Sequence, residues 1–225
     1  MRLPKRGSLF REIPIIVVSA LVVSIFVKTF LIHFFYIPSG SMEKTLLIGD
    51  RIAVNKLANF FSDIKRGEVV VFKDPANWLG QAPGETGSKT VVAIKNALVS
   101  VGVLPDPAKQ YLIKRVIGVG GDSVICCDAK GRLTVNGSAI NEPYIFAGNK
   151  PSESNFTVNI PKGFIWVMGD HRSASADSRF HTEDIHHGMV PLDAVVGRAF
   201  ATVWPPQDIK FLSVSPDLSK VAVKK

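Results

Sequence analysis

The chain is poor in cysteine. It has two in 225 residues, and they are neighbours, Cys126 and Cys127. No C-x-x-C spacing and no four-ligand set stands with them, so they suggest no structural metal site. Bridging adjacent residues strains the peptide between them. The pair therefore reads as two half-buried strand thiols, which say little about compartment. His181, His186 and His187 lack the H-E-x-x-H spacing of a zinc protease, and no metal is expected. Acidic residues are also in deficit: 19 Asp and Glu stand against 27 Lys and Arg, a net charge of +8. A basic balance suits nucleic acid, an anionic membrane surface or an acidic partner. There is no aromatic RNA-binding motif, no finger spacing and no recognition-helix pattern, so no nucleic-acid partner is expected. There is no internal repeat. With 46% hydrophobic and 20% charged residues the chain is not disordered, and its length allows one large domain or two small ones.

One long apolar run is present. Arg2, Lys5, Arg6 and Arg11 form a basic cluster, and residues 13–36 follow as an almost unbroken apolar stretch. That length spans a bilayer core of about 30 Å as a helix. Lys28 and His33 lie in its outer half. Lys28 can snorkel outwards, and Phe34, Phe35 and Tyr36 suit an aromatic belt. The rival is a cleavable secretory signal, but no A-x-A site follows the core and the apolar character runs on. The stretch reads as an uncleaved signal-anchor. The positive-inside rule then keeps residues 1–12 in the cytoplasm and puts everything after residue 36 outside. A single-pass type II protein of the plasma membrane is the expectation, with the lipid bilayer as one partner.

Beyond the run the pattern is short strands between Gly and Pro turns. Residues 51–55, 68–72, 111–119, 164–168 and 195–203 read as strands. Asn136-Gly137 joins two runs as a tight hairpin. The expected fold is mainly β: an antiparallel sandwich or partly closed barrel over residues 37–212, behind a single transmembrane helix. Residues 74–110 read as an insertion, with a short helix over 91–101. Residues 128–159 read as a small β subdomain, and 213–225 as a flexible tail.

Three stretches carry candidate chemistry. In YIPSGSMEKTLLIGD, residues 36–50, Ser39 and Ser41 lie on a turn just past the apolar run. Such turns expose reactive side chains and aim backbone N–H groups into a cleft. The alternative is a membrane-exit turn, with Ser39 or Ser41 capping a short helix over 42–47. In YLIKRVIG, residues 111–118, Lys114 and Arg115 sit mid-strand and point to opposite faces. A buried arginine needs a carboxylate, whereas a buried lysine can shed its proton and serve as a general base. The alternative is an edge strand with both cations in water. In MGDHRSASADSR, residues 168–179, small and charged residues follow a buried-looking strand. Its alternative is an ordinary polar loop.

Several mechanisms lack their companion elements. Ser41-Met-Glu-Lys44 fits the S-x-x-K of penicillin-recognising enzymes, but neither S-D-N nor K-T-G is present. His171 and Asp177 could join a Ser-His-Asp triad, but no G-x-S-x-G elbow exists. A serine–lysine dyad remains.

Together, in this order behind an anchor, these stretches resemble the bacterial type I signal peptidases (leader peptidases), a family of Ser–Lys dyad proteases. The matching elements are Pro38-Ser39-Gly40-Ser41-Met42, the run from Gly49-Asp50 to Asn55-Lys56, the lysine strand with Gly121-Asp122, and Gly169-Asp170-His171-Arg172 through Ser175, Asp177, Ser178 and Arg179. The resemblance covers most of the chain beyond its N-terminus. It implies a serine endopeptidase that removes signal peptides from exported preproteins after small residues, at Ala-x-Ala sites, without cofactor or metal. It implies Ser41 as nucleophile, Lys114 as general base, and Ser39 with the Ser41 N–H as oxyanion hole. Ser175 would hold the lysine amine, Asp177 and Arg179 would brace the site as an ion pair, and Met42 would line the substrate cleft. His171 departs from the family, which often has Asn there. Two alternatives stay open: an anchored serine hydrolase using His171 or Lys44, and a membrane-anchored β module that only binds a partner.

Overall fold

The computed structural model describes residues 12–21, 31–80 and 110–222. Residues 12–21 are helical. Ile13, Ile15, Ile16, Val17, Val18 and Leu21 are all half or more exposed, so apolar side chains face outwards all round this helix. Among the described residues no helix is long and apolar enough to cross a membrane. The expected span also takes in residues 22–30, which lie outside the described ones. Its last five residues are a correction: Ile32–Tyr36 is a strand, β1. The turn after Pro38 reverses the chain. β1 then pairs on five rungs with β2, Arg51–Asn55, which satisfies its backbone groups across the ladder instead of within a helix. Phe35 also packs edge-on against Tyr111, centroids 5.2 Å apart.

The remaining strands are β3 Val69–Lys73, β4 Tyr111–Val119, β5 Ser123–Cys126, β6 Thr134–Val135, β7 Ser138–Ala139, β8 Phe156–Asn159, β9 Phe164–Met168, β10 Val190–Pro191, β11 Val195–Trp204 and β12 Lys210–Phe211. The large sheet has the order β1-β2-β11-β3-β4-β9-β10, with β12 on β11. Among the described residues every pairing is antiparallel, and β1 and β10 end the order without meeting, so these strands do not form a closed barrel. The small sheet has the order β7-β6-β5-β8. It begins at Ser123, earlier than the expected 128, because the Gly120-Gly121-Asp122 turn leads straight from β4 into β5. In its hairpin Asn136 and Gly137 have φ of 52° and 80°, the left-handed pair that a two-residue turn needs.

β3 and β4 are neighbours from Val69 opposite Arg115 to Lys73 opposite Tyr111. Asp74 N then donates to Gln110 O at 3.0 Å, so the intervening segment leaves and rejoins the sheet at one place. Residues 81–109, including the expected helix over 91–101, lie outside the described residues.

Three apolar clusters cover the sheets. Ile37, Met42 and Leu46 pack on Ile52, Val54 and Val71 beneath the serine turn. Val70, Phe72, Leu112, Val116 and Val167 form a second cluster. The third joins the small sheet to Ile117, Trp166 and Met168 and also takes in Leu218 and Val221. That last contact corrects the flexible tail. Pro216–Lys220 is a helical turn whose Leu218 is fully buried, and Arg66 Nη1 donates to Val221 O at 2.8 Å. Its polar composition hides two apolar anchors. The cysteines differ from expectation too: Cys126 and Cys127 are bonded as a disulfide. β5 ends at Cys126, so the pleat that would send the thiols to opposite faces stops between them.

Candidate active site

Ser41 sits on a single 3-10 turn, Gly40–Met42, that begins two residues after Pro38. No side chain caps that turn, so neither serine plays the cap that a bare exit turn would need. Lys114 comes from the middle of β4, where apolar neighbours on both faces leave it 4% exposed. Its Nζ lies 2.6 Å from Ser41 Oγ and donates to the carbonyl of its neighbour Ile113 at 3.1 Å. Burial lowers the amine's pKa to about 8; the carboxylates of Asp177 and Asp170 pull it back up, and burial prevails. Next along the strand, Arg115 is equally buried but points away. Asp170 receives it in a two-pronged pair at 2.8 and 2.6 Å, and Gly67 O accepts a third bond at 2.8 Å. The same carboxylate accepts from Thr45 Oγ1, tying the serine turn to the lysine strand.

The loop after β9 closes the site. Asp177 accepts from Gly169 N at 2.9 Å and pairs with Arg179 Nε at 2.8 Å, both carboxylate and guanidinium being buried. Arg179 Nη2 also donates to Arg172 O at 2.8 Å. His171 N donates to Ser41 O at 3.1 Å. Gly169 permits this approach, since a Cβ there would overlap the Ser41 carbonyl and the Ser175 hydroxyl. Ser178 Oγ accepts from Val167 N at 3.0 Å, fixing the loop to β9.

Some expected partners are not brought together. Among the described residues Ser175 Oγ, which is buried, has no hydrogen-bond partner, the Lys114 amine included. Met42 lies in the core, 0% exposed, because the 3-10 turn directs it onto Ile52 and Val54; it does not line an open cleft. Ser39 is exposed, with its Oγ 3.5 Å from Ser41 Oγ. Lys44 turns away from Ser41 and donates to the carbonyls of Pro143 and Ile145. His171 Nδ1 lies 3.1 Å from Glu43, and Asp177 is engaged by Arg179 and Gly169, so no Ser-His-Asp relay is assembled. His181 stacks on Trp78, and His186 lies tilted against Phe164.

Sequence reasoning missed the loop from Glu142 to Pro151. Glu142 pairs with Arg172 at 2.5 Å, the Tyr144 ring lies 4.2 Å under the Arg115 guanidinium, and Phe146 N donates to Asp170 O at 2.9 Å. It has no periodicity and no reactive pattern, so nothing in its letters marks it.

A family model described as "Signal peptidase, peptidase S26" matches residues 10–204, which include every residue of this site. The chain belongs to the signal peptidase S26 family. A probable signal peptidase I of Mycobacterium leprae is 38% identical over 230 residues, covering 90% of this chain and 79% of that protein. A signal peptidase I of Mycobacterium tuberculosis is 38% identical over 90% of this chain and 75% of its own length. The crystal structure of a signal peptidase I from Enterococcus faecalis is similar over 61% of this chain and 97% of that one, at 21% identity and a TM-score of 0.38. The chain is therefore a peptidase of a family that removes signal peptides from exported proteins.

Proposed function

We propose that this peptidase is a membrane-anchored endopeptidase that cuts signal peptides after small residues, with Ser41 as nucleophile and Lys114 as general base. The observation that carries this reading is the buried Lys114 amine 2.6 Å from the Ser41 hydroxyl. A neutral amine takes the hydroxyl proton as Ser41 Oγ attacks the scissile carbonyl. The developing oxyanion is met by the Ser41 N–H and by the hydroxyl of Ser39 beside it. The protonated lysine then gives its proton to the leaving amine, and water, deprotonated by the same lysine, clears the acyl-enzyme. Asp177 with Arg179, and Asp170 with Arg115, keep both loops fixed while the lysine changes charge.

The substrate must be extended to be cut. β4 pairs with β3 from Tyr111 onwards but with β9 only from Arg115 onwards. Among the described residues no strand takes the second edge of residues 112–114, which leads to Lys114. A signal peptide's last residues pair along that edge in this reading. Alternate residues of a strand share a face, so the residue before the cut and the one two positions earlier meet the same wall. A shallow wall accepts Ala at both and rejects larger side chains, which is the Ala-x-Ala preference.

Two features support anchoring. The helix of residues 12–21 is apolar and exposed all round. The sheet also presents exposed aromatics on one face: Tyr36 and Trp204 flank Arg51 on one rung, and Phe34, Ala53, Ala201 and Phe211 form another. Such a face suits a bilayer surface. The basic N-terminus then stays cytoplasmic and the catalytic domain lies outside.

Ser41→Ala and Lys114→Met are each expected to lower cleavage of an Ala-x-Ala peptide by at least about a thousandfold. Turnover surviving Lys114→Met overturns the dyad.

A further inference from the structure

Lys44 has φ of +83°, a left-handed conformation that lysine rarely adopts. Such a residue persists where its surroundings over-determine it. Its amine donates to Pro143 O at 2.6 Å and Ile145 O at 2.9 Å, about a hundred residues away in sequence. The contacts continue into a closed ring. Phe146, next in the chain, stacks on the His171 ring with centroids 4.1 Å apart. His171 N donates back to Ser41 O at 3.1 Å, and its Nδ1 lies 3.1 Å from Glu43, between Ser41 and Lys44. Inside this ring the serine turn is one 3-10 turn with no side-chain cap. Met42 in the core and the Thr45–Asp170 bond pin one side of the turn, and the ring through Lys44 holds the other.

We propose that Lys44 is a positioning residue for Ser41: by clamping the carbonyls of Pro143 and Ile145, it closes a ring of contacts that aims the serine hydroxyl at Lys114. This rests on reading Ser41 as the nucleophile. The amine takes no proton from Ser41, because it faces the two carbonyls instead. Its effect is geometric, and misplacing a reacting atom by about 1 Å costs up to roughly a hundredfold in rate.

The test uses the full chain in detergent and an Ala-x-Ala peptide. Lys44→Gly suits the backbone, since glycine adopts positive φ freely, but it removes the clamp. We expect kcat to fall roughly tenfold, with KM changing less than about twofold and the thermal midpoint and the pH inflection staying in place. Lys44→Arg keeps a cationic donor of similar reach and is expected to recover most of the kcat. A Lys44→Gly kcat equal to the parent's overturns the proposal. So does a kcat loss that tracks a lowered thermal midpoint and is not rescued by arginine. Ser41→Ala runs alongside: activity surviving there overturns the nucleophile reading itself, and the role of Lys44 with it.

Discussion

Burying Lys114 supplies a base and at the same time weakens the fold. Its amine titrates at about 8 in the folded chain against an ordinary value of 10.5. Below about 8 both states hold the proton and the whole penalty is felt. Between 8 and 10.5 the unfolded chain binds more protons than the folded one, so stability rises with pH. Lys114→Met, which fills similar space without a charge, is therefore expected to stabilise the protein at pH 7 by about 3 kcal/mol. The gain should shrink as pH approaches 10.5. Chemical unfolding of parent and variant at pH 7 and pH 10 checks this, and a variant less stable than its parent at pH 7 contradicts it. Individual residues were unevenly legible. Lys114 and Arg115 could be read because two cations inside an apolar strand demand a reason. Met42 and Ser175 could not, because a turn's exact direction decides whether a side chain meets the core, the cleft or a partner.

At the scale of elements, β4 does two tasks: its Arg115–Val119 half pairs with β9, and residues 112–114 before it keep one edge open among the described residues. If the substrate lies on that edge, its backbone amides alternate between facing the enzyme and facing solvent. Methylating the peptide's backbone nitrogens one at a time, over the four residues before the cut, should lower kcat/KM at alternate positions, by roughly tenfold where a ladder bond is lost. Equal, small effects at all four positions would argue against strand pairing. The strands themselves show what a sequence reveals. β2, β4 and β9 were legible to the residue, since β-rich runs there end at Gly, Pro or charged turns. β1 was not, because Ile32–Tyr36 ends a continuous apolar run and its period is hidden. The helical turn at Pro216–Lys220 was hidden in the opposite way, by the polar residues around Leu218.

At the scale of the whole molecule, the large sheet supplies the serine turn, the lysine strand and the closing loop, and the small-sheet region supplies the bracing segment from Glu142 to Pro151. Buried ion pairs stitch these parts together: Arg115 with Asp170, Arg172 with Glu142, and Arg179 with Asp177. Removing one partner from this frame leaves a buried charge unpaired, which costs about 3–5 kcal/mol. Within it the one buried cation without a carboxylate in hydrogen-bond contact among the described site residues is Lys114, whose contacts are Ser41 Oγ and Ile113 O. The central claim is that this amine, in its neutral form, is the base. The pH dependence of kcat/KM for an Ala-x-Ala peptide tests it most directly. The account predicts a rise through a single inflection near 8 to an alkaline plateau, as the amine loses its proton. A profile that is flat from pH 6 to pH 9, or that falls across that range, would contradict it.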